Sequence, residues 1–116
     1  MAAQAESAQI QYKAGDIIFK EGDPGDLMYI VKQGEVDLYI QDQLVETVGK
    51  DGFFGEMALI DSKGRSAKAI AKTDAELATL TEKQFIFMVQ QTPFFSLRVL
   101  RTMVQRIRAM DRFVKP

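Results

Sequence analysis

Two charged residues, Glu56 and Arg65, bracket a short apolar run behind a glycine in this 116-residue chain. The stretch Phe54-Gly55-Glu56-Met57-Ala58-Leu59 is followed by Arg65-Ser66-Ala67. Gly55 at the start of a short helix frees backbone N–H groups to face an anion. Arg65 supplies the planar fork that grips phosphate oxygens in pairs. Glu56 is an acceptor for sugar hydroxyls. The set suits a small ligand that carries both a phosphate and a pair of hydroxyls.

Each of these residues also has a plainer role. A carboxylate in the first turn of a helix stabilises it by ~0.3–1 kcal/mol with no ligand at all. Loop arginines are usually solvated, and a loop serine such as Ser66 is unremarkable. Spacing favours the site over the separate plainer roles.

The elements that must hold this set read in two parts. Up to Thr81 the chain looks like short strands separated by turns. Ile17-Ile18-Phe19, Leu27 to Lys32, Val36 to Ile40, Leu44 to Val48, Ala67 to Ala71 and Ala75 to Leu80 are the predicted strands. Val36, Leu38 and Ile40 alternate with Asp37 and Tyr39. Asp42-Gln43 marks a hairpin, and Glu21-Gly22-Asp23-Pro24-Gly25-Asp26 is dense in turn formers. Strands this short and frequent argue for a sandwich or jelly roll.

After Thr81 the period changes. Thr81 opens a predicted helix to about Gln91, with Phe85, Met88 and Val89 on one face. Thr92-Pro93 breaks it, because the residue before proline is driven out of the helical region. A second helix is predicted from about Phe95 to Phe113. Leu97, Leu100, Met103, Val104, Ile107, Met110 and Val114 form its apolar stripe. Asp111 falls inside that arc, between Leu100 and Val104. An acid there pairs with Lys115 or Arg108 along the helix, worth a few tenths of a kcal/mol.

Composition narrows the function. An apolar fraction of 47% and a charged fraction of 27% describe an ordinary globular chain with room for one core. No apolar run is long enough to span a bilayer, and no signal-peptide pattern is present; a cytoplasmic protein is expected. There are no cysteines and no histidines. Disulfides, thiolate metal sites, histidine-ligated metals and the commonest general base are thereby removed. No metal site and no catalytic residue is expected, and no nucleophile–base pair is visible.

Charge is uneven. Residues 94–116 carry six basic residues against one acid, net +5, while the remainder holds nine basic and fifteen acidic residues, net −6. Arg98, Arg101, Arg108 and Arg112 share one helical face, as a solvated face does. No aromatic residues are interleaved with them to stack bases, so direct DNA binding is not expected.

The segment FGEMALIDSKGRSA closely resembles the phosphate-binding cassette of the cyclic-nucleotide-binding domain family, which includes the catabolite activator protein and the regulatory subunits of cyclic-nucleotide-dependent kinases. YKAGDIIFKEGDPGDLMYIVKQGEVDLYI is similar to the family's first half. Gly15, Gly22, Gly25 and Gly34 match its glycine pattern and read as turn positions that need positive φ. The resemblance runs from about Tyr12 to Met110. It implies a mainly β fold: a β-roll (jelly-roll, double-stranded β-helix) followed by two C-terminal helices. The small, polar start predicts a frayed segment over residues 1–11, and the domain is expected to divide into a roll over 12–81 and helices over 82–116. The sequence departs from the family at both ends. The helical segment that usually precedes the roll is nearly absent, and no helix-turn-helix, kinase or channel segment follows.

The resemblance also implies roles. Backbone N–H groups of Met57, Ala58 and Ala67 and the Ser66 hydroxyl would bond the phosphate that Arg65 neutralises. Glu56, beside Gly55, would hold the ribose 2′-hydroxyl. Leu38 and Val48 would wall the purine. The last helix would act as a lid, with Asp111 accepting from a nucleobase amine. The implied ligand is cyclic AMP ahead of cyclic GMP, with Ser66 compatible with both, and no cofactor. The implied activity is a sensor acting on an effector protein, with a homodimer through residues 95–113 as a further expectation. The alternative is a degenerate domain that binds a protein partner and no nucleotide.

Overall fold

The computed structural model describes residues 8–61 and 63–114, with side chains described through residue 111. The expectations placed on residues 1–7, on the Arg112 and Val114 side chains and on Lys115 lie outside the described residues.

Eight strands form two four-stranded antiparallel sheets. They are β1 (Gln9–Tyr12), β2 (Ile17–Phe19), β3 (Met28–Gln33), β4 (Val36–Ile40), β5 (Gln43–Val48), β6 (Phe53–Phe54), β7 (Lys68–Ala71) and β8 (Ala75–Leu80). One sheet has the order β1-β8-β3-β6 and the other β2-β7-β4-β5. Among the described residues three helices accompany the strands: α1 (Glu56–Asp61), α2 (Glu82–Gln91) and α3 (Pro93–Val114). The expected roll followed by two helices is what forms.

Two strands escaped the sequence reading. Residues 9–11, expected to be frayed, form β1 together with Tyr12, and the strand pairs with β8 from Gln9↔Ala78 to Tyr12↔Ala75. It is an edge strand whose side chains are mostly exposed, so its alternation carries little apolar signal. β6 is only two residues long and exists because Phe53 and Phe54 meet Ile30 and Tyr29 of β3.

Alternation explains how one sheet serves two cores. Tyr29, Val31, Phe54 and Leu77 enter the sandwich interior with Phe19, Val36, Leu38 and Val48. Met28, Phe53 and Leu80 lie in a second cluster with Leu59 of α1 and Phe95 and Val99 of α3. Side chains in a strand project to opposite faces at every step, so β3 and β6 are buried on both sides.

Local chemistry sets the breaks. The β4–β5 hairpin turns at Gln41 and Asp42, both with positive φ (51° and 65°). That is a turn whose twist matches paired strands; it falls one residue earlier than the Asp42-Gln43 pair suggests. Thr81 caps α2 with a reciprocal box. Its hydroxyl accepts from the Gln84 backbone N–H, and its own N–H donates to the Gln84 side chain. Thr92 closes α2 by donating to Met88 O (2.8 Å), and Pro93 opens α3, where a missing N–H costs nothing.

The orientation of α3 differs from the stripe read in its sequence. Leu100, Val104 and Ile107 point outward, 58%, 48% and 52% exposed. The face turned toward the roll carries Val99, Thr102, Met103, Arg106, Ala109 and Met110. The helix is rotated by about a quarter-turn from its most apolar orientation. Arg106 supplies the reason, described next.

Candidate functional site

A cavity of about 280 Å³ lies between the roll and α3. Gly55, Glu56, Met57, Ala58, Arg65, Ser66 and Ala67 form one wall. Phe19, Leu38, Ile40 and Val45 give it an apolar side, with Glu46 beside them. Thr102, Gln105, Arg106, Ala109 and Met110 of α3 close the other side.

The structure therefore brings together eight of the ten residues singled out in the sequence: Gly55, Glu56, Met57, Ala58, Arg65, Ser66, Ala67 and Leu38. Val48, expected as a purine wall, and Asp111, expected to accept from a nucleobase amine, do not line this cavity. Val48 is 3% exposed within the sandwich core. Asp111 is exposed, because the rotation of α3 carries its sequence stripe into solvent.

Arg65 is 7% exposed, yet among the described residues no carboxylate lies within ion-pair distance of it. Its Nη1 donates to Leu27 O (2.9 Å) and Gly55 O (3.2 Å). Its Nε is buried and has no hydrogen-bond partner among the described residues. Its Cζ stands 4.2 Å from the centroid of the Phe19 ring and 5.6 Å from that of Tyr29. Burial pushes its pKa below the ordinary arginine value, against the pull of Tyr29, Asp26, Asp23 and Glu56. A guanidinium stays charged even so. The result is a desolvated positive charge on a cavity wall, with no carboxylate paired to it among the described residues, the arrangement that attracts an anion.

Two glycines make room for it. A Cβ on Gly55 would stand 2.9 Å from Arg65 Nη1, and Gly55 holds φ at 83°. A Cβ on Gly25 would stand 2.5 Å from Arg65 Cζ. Gly15, Gly22 and Gly34 do have the positive φ expected of turn positions. Gly25 does not; its reason is close approach to the guanidinium rather than backbone conformation.

Glu56 opens α1 and is 2% exposed. Its Oε1 accepts from Arg106 Nη1 at 2.7 Å. Arg106 also meets Glu46 through Nε (2.8 Å to Oε1) and Nη2 (3.1 Å to Oε2), and Nη2 donates to Phe53 O at 2.6 Å. Burial alone would lower the Arg106 pKa; hydrogen bonding and charge from Glu46 and Glu56 overcome it, and the pKa sits above the usual value. One arginine thus ties α3 to β5, β6 and α1. In the sequence Arg106 stands out only as one of the basic residues of 94–116, and Glu46 does not stand out at all. The local signal was faint: Arg106 sits apart from the face shared by Arg98, Arg101, Arg108 and Arg112.

The comparisons agree with this geometry. The cyclic nucleotide-binding domain family model matches residues 9–92, and the chain belongs to that family. A cAMP-dependent protein kinase regulatory subunit of Dictyostelium discoideum is 46% identical over 77 residues, 62% of this chain and 24% of that protein. The catabolite activator protein of Thermus thermophilus superposes with a TM-score of 0.81 at 29% identity, covering 97% of this chain and 55% of that one. A cAMP-bound PfPKA-R structure superposes at 0.82 with 25% identity, covering 94% and 38%. The chain spans about a quarter of the length of the Dictyostelium protein it matches.

Proposed function

We propose that this chain is a cyclic-nucleotide sensor rather than a catalyst, with cyclic AMP as the preferred ligand, cyclic GMP second, and α3 as lid and output. The observation that carries the reading is Arg65: a buried guanidinium without a carboxylate partner among the described residues, lining a cavity that Glu56 and α3 also line. The phosphate sits against Arg65, the Ser66 hydroxyl and the backbone N–H groups of Met57, Ala58 and Ala67. The ribose 2′-hydroxyl donates to Glu56. The purine lies against Leu38, with Ile40 and Val45 beside it. The two similar proteins with cAMP in their names support the base preference.

Titration calorimetry tests it directly. Cyclic AMP should bind, and 2′-deoxy cyclic AMP should bind more weakly by roughly 10- to 150-fold, since a hydrogen bond to a buried carboxylate is lost. In Glu56→Gln the gap between the two ligands should shrink. Equal gaps in both proteins would show that Glu56 does not touch the ribose. No binding of either cyclic nucleotide would leave the degenerate interaction domain as the reading.

The output surface is the outward face of α3. Leu97, Leu100, Val104 and Ile107 repeat at alternating three- and four-residue steps, the seam of a two-helix coil, and are 38–58% exposed. A second copy docks here, through residues 95–113, and an effector protein reads the change. Nucleotide can move α3 only through unequal contact with its two positions. Saturating cyclic AMP should therefore slow amide exchange across 95–113 as well as in 54–67. Met103 packs inward against the second core cluster, so Met103→Glu should undock the helix. Val104→Glu should instead leave the fold intact and lower the sedimentation coefficient to that of one chain. Exchange slowed only in 54–67 would remove the lid role.

A further inference from the structure

We infer that Phe19 is a positioning residue for the phosphate site: its ring face, not a carboxylate, holds the Arg65 guanidinium in place and leaves its charge free for the ligand. This rests on the reading of Arg65 as the phosphate's partner. Phe19 is at the end of β2, 9% exposed, and lines the cavity beside Arg65. Its ring centroid is 4.2 Å from Arg65 Cζ, inside the range of a cation over an aromatic face. The ring is itself held. It lies 5.9 Å from Tyr29 and 5.8 Å from Phe54, and those two rings stack 5.1 Å apart at 9°. All three belong to the sandwich core, so the platform is rigid.

The chemistry explains why a ring suits this position. A buried guanidinium needs compensation. Two carbonyls, Leu27 O and Gly55 O, take the Nη1 protons and fix one edge. A carboxylate would complete the compensation, but it would neutralise the charge and have to be displaced by an arriving phosphate. The negative face of an aromatic ring attracts the cation through its quadrupole and carries no net charge. It orients the plane of the guanidinium without competing for the anion. Gly25 and Gly55, which lack the Cβ atoms that would meet Arg65, leave the guanidinium room to lie against the ring.

The experiment separates packing from electrostatics by replacing Phe19 with phenylalanines of increasing ring fluorination in the full chain. Shape is nearly kept while the negative face is drained. Cyclic AMP affinity should fall stepwise, reaching roughly threefold to thirtyfold for the most fluorinated ring, with circular dichroism and melting little changed. Phe19→Tyr should bind as the wild type does, and Phe19→Leu should lose affinity to a similar extent. A second readout is the side-chain Nε–H resonance of Arg65, which the ring should shift upfield in the unliganded protein and which should relax in Phe19→Leu. Affinity constant across the fluorinated series would overturn the inference and make Phe19 a core residue only. Failure of the wild type to bind either cyclic nucleotide would instead overturn the functional reading. The Nε–H signal then judges the positioning on its own: an unshifted Arg65 resonance removes it.

Discussion

Arg65→Ala is expected to weaken cyclic AMP binding more than any other single change in the cavity while leaving the fold standing. Truncating one member of a desolvated charge pair costs ~2–5 kcal/mol, or roughly thirtyfold to several thousandfold in the dissociation constant. The fold should survive because Arg65 contributes little that the core needs. It makes no ion pair among the described residues, and its removal relieves a buried Nε that has no partner. Leu27 O and Gly55 O lose their Nη1 donor in exchange, so the melting temperature should fall by only a few degrees as the affinity collapses. Arg65→Lys should recover only a fraction of the binding, since an ammonium cannot match two phosphate oxygens at once. A dissociation constant unchanged in a folded Arg65→Ala protein would remove Arg65 from the site.

Arg106→Ala is expected to show the opposite pattern, a large loss of stability together with a loss of binding. Its side chain is 11% exposed and faces the Glu56 side chain, 3% exposed, and the Glu46 side chain, 36% exposed. Removing the shared cation leaves Glu56 buried without its partner and Phe53 O without its donor. Breaking a buried pair in this way costs ~3–5 kcal/mol. Glu46 adds little to that, being more than a third exposed and screened by water. For a domain of this size the melting temperature should fall by roughly 10–25 °C. Glu56→Gln in the Arg106→Ala background should recover part of that loss, since the stranded charge is then gone. A melting temperature within a degree or two of wild type would show that the Arg106 cluster does not hold α3 to the roll in solution.

The same cluster explains why α3 is not oriented as its sequence stripe suggests. Apolar residues at Leu97, Leu100, Val104 and Ile107 describe a face that seeks burial. Burying that face against the roll would have carried Arg106 away from Glu56 and Glu46. The helix instead buries Phe95 and Val99 near its start and presents Arg106 to the two carboxylates further on. Asp111, which the stripe placed among apolar neighbours, consequently sits in solvent.

What the sequence by itself determined is short in range. Alternation within Val36 to Ile40, the glycines at Gly15, Gly22 and Gly34, the helix opening at Thr81 and the Thr92-Pro93 break each depend on residues a few positions apart, so strands, turns and helices were legible. The cassette was legible for the same reason, since Gly55, Glu56, Arg65 and Ser66 lie on one continuous stretch. Only the tertiary structure decided the rest. β1 forms because β8 offers an edge some sixty-odd residues away in the chain. Gly25 is a glycine because Arg65 passes beside it, Phe19 becomes part of the site because that same guanidinium lies over its ring, and Arg106 matters because Glu46 and Glu56 meet it. A buried charge is satisfied by whatever the fold brings within a few ångströms, and periodicity along the chain holds no record of that partner.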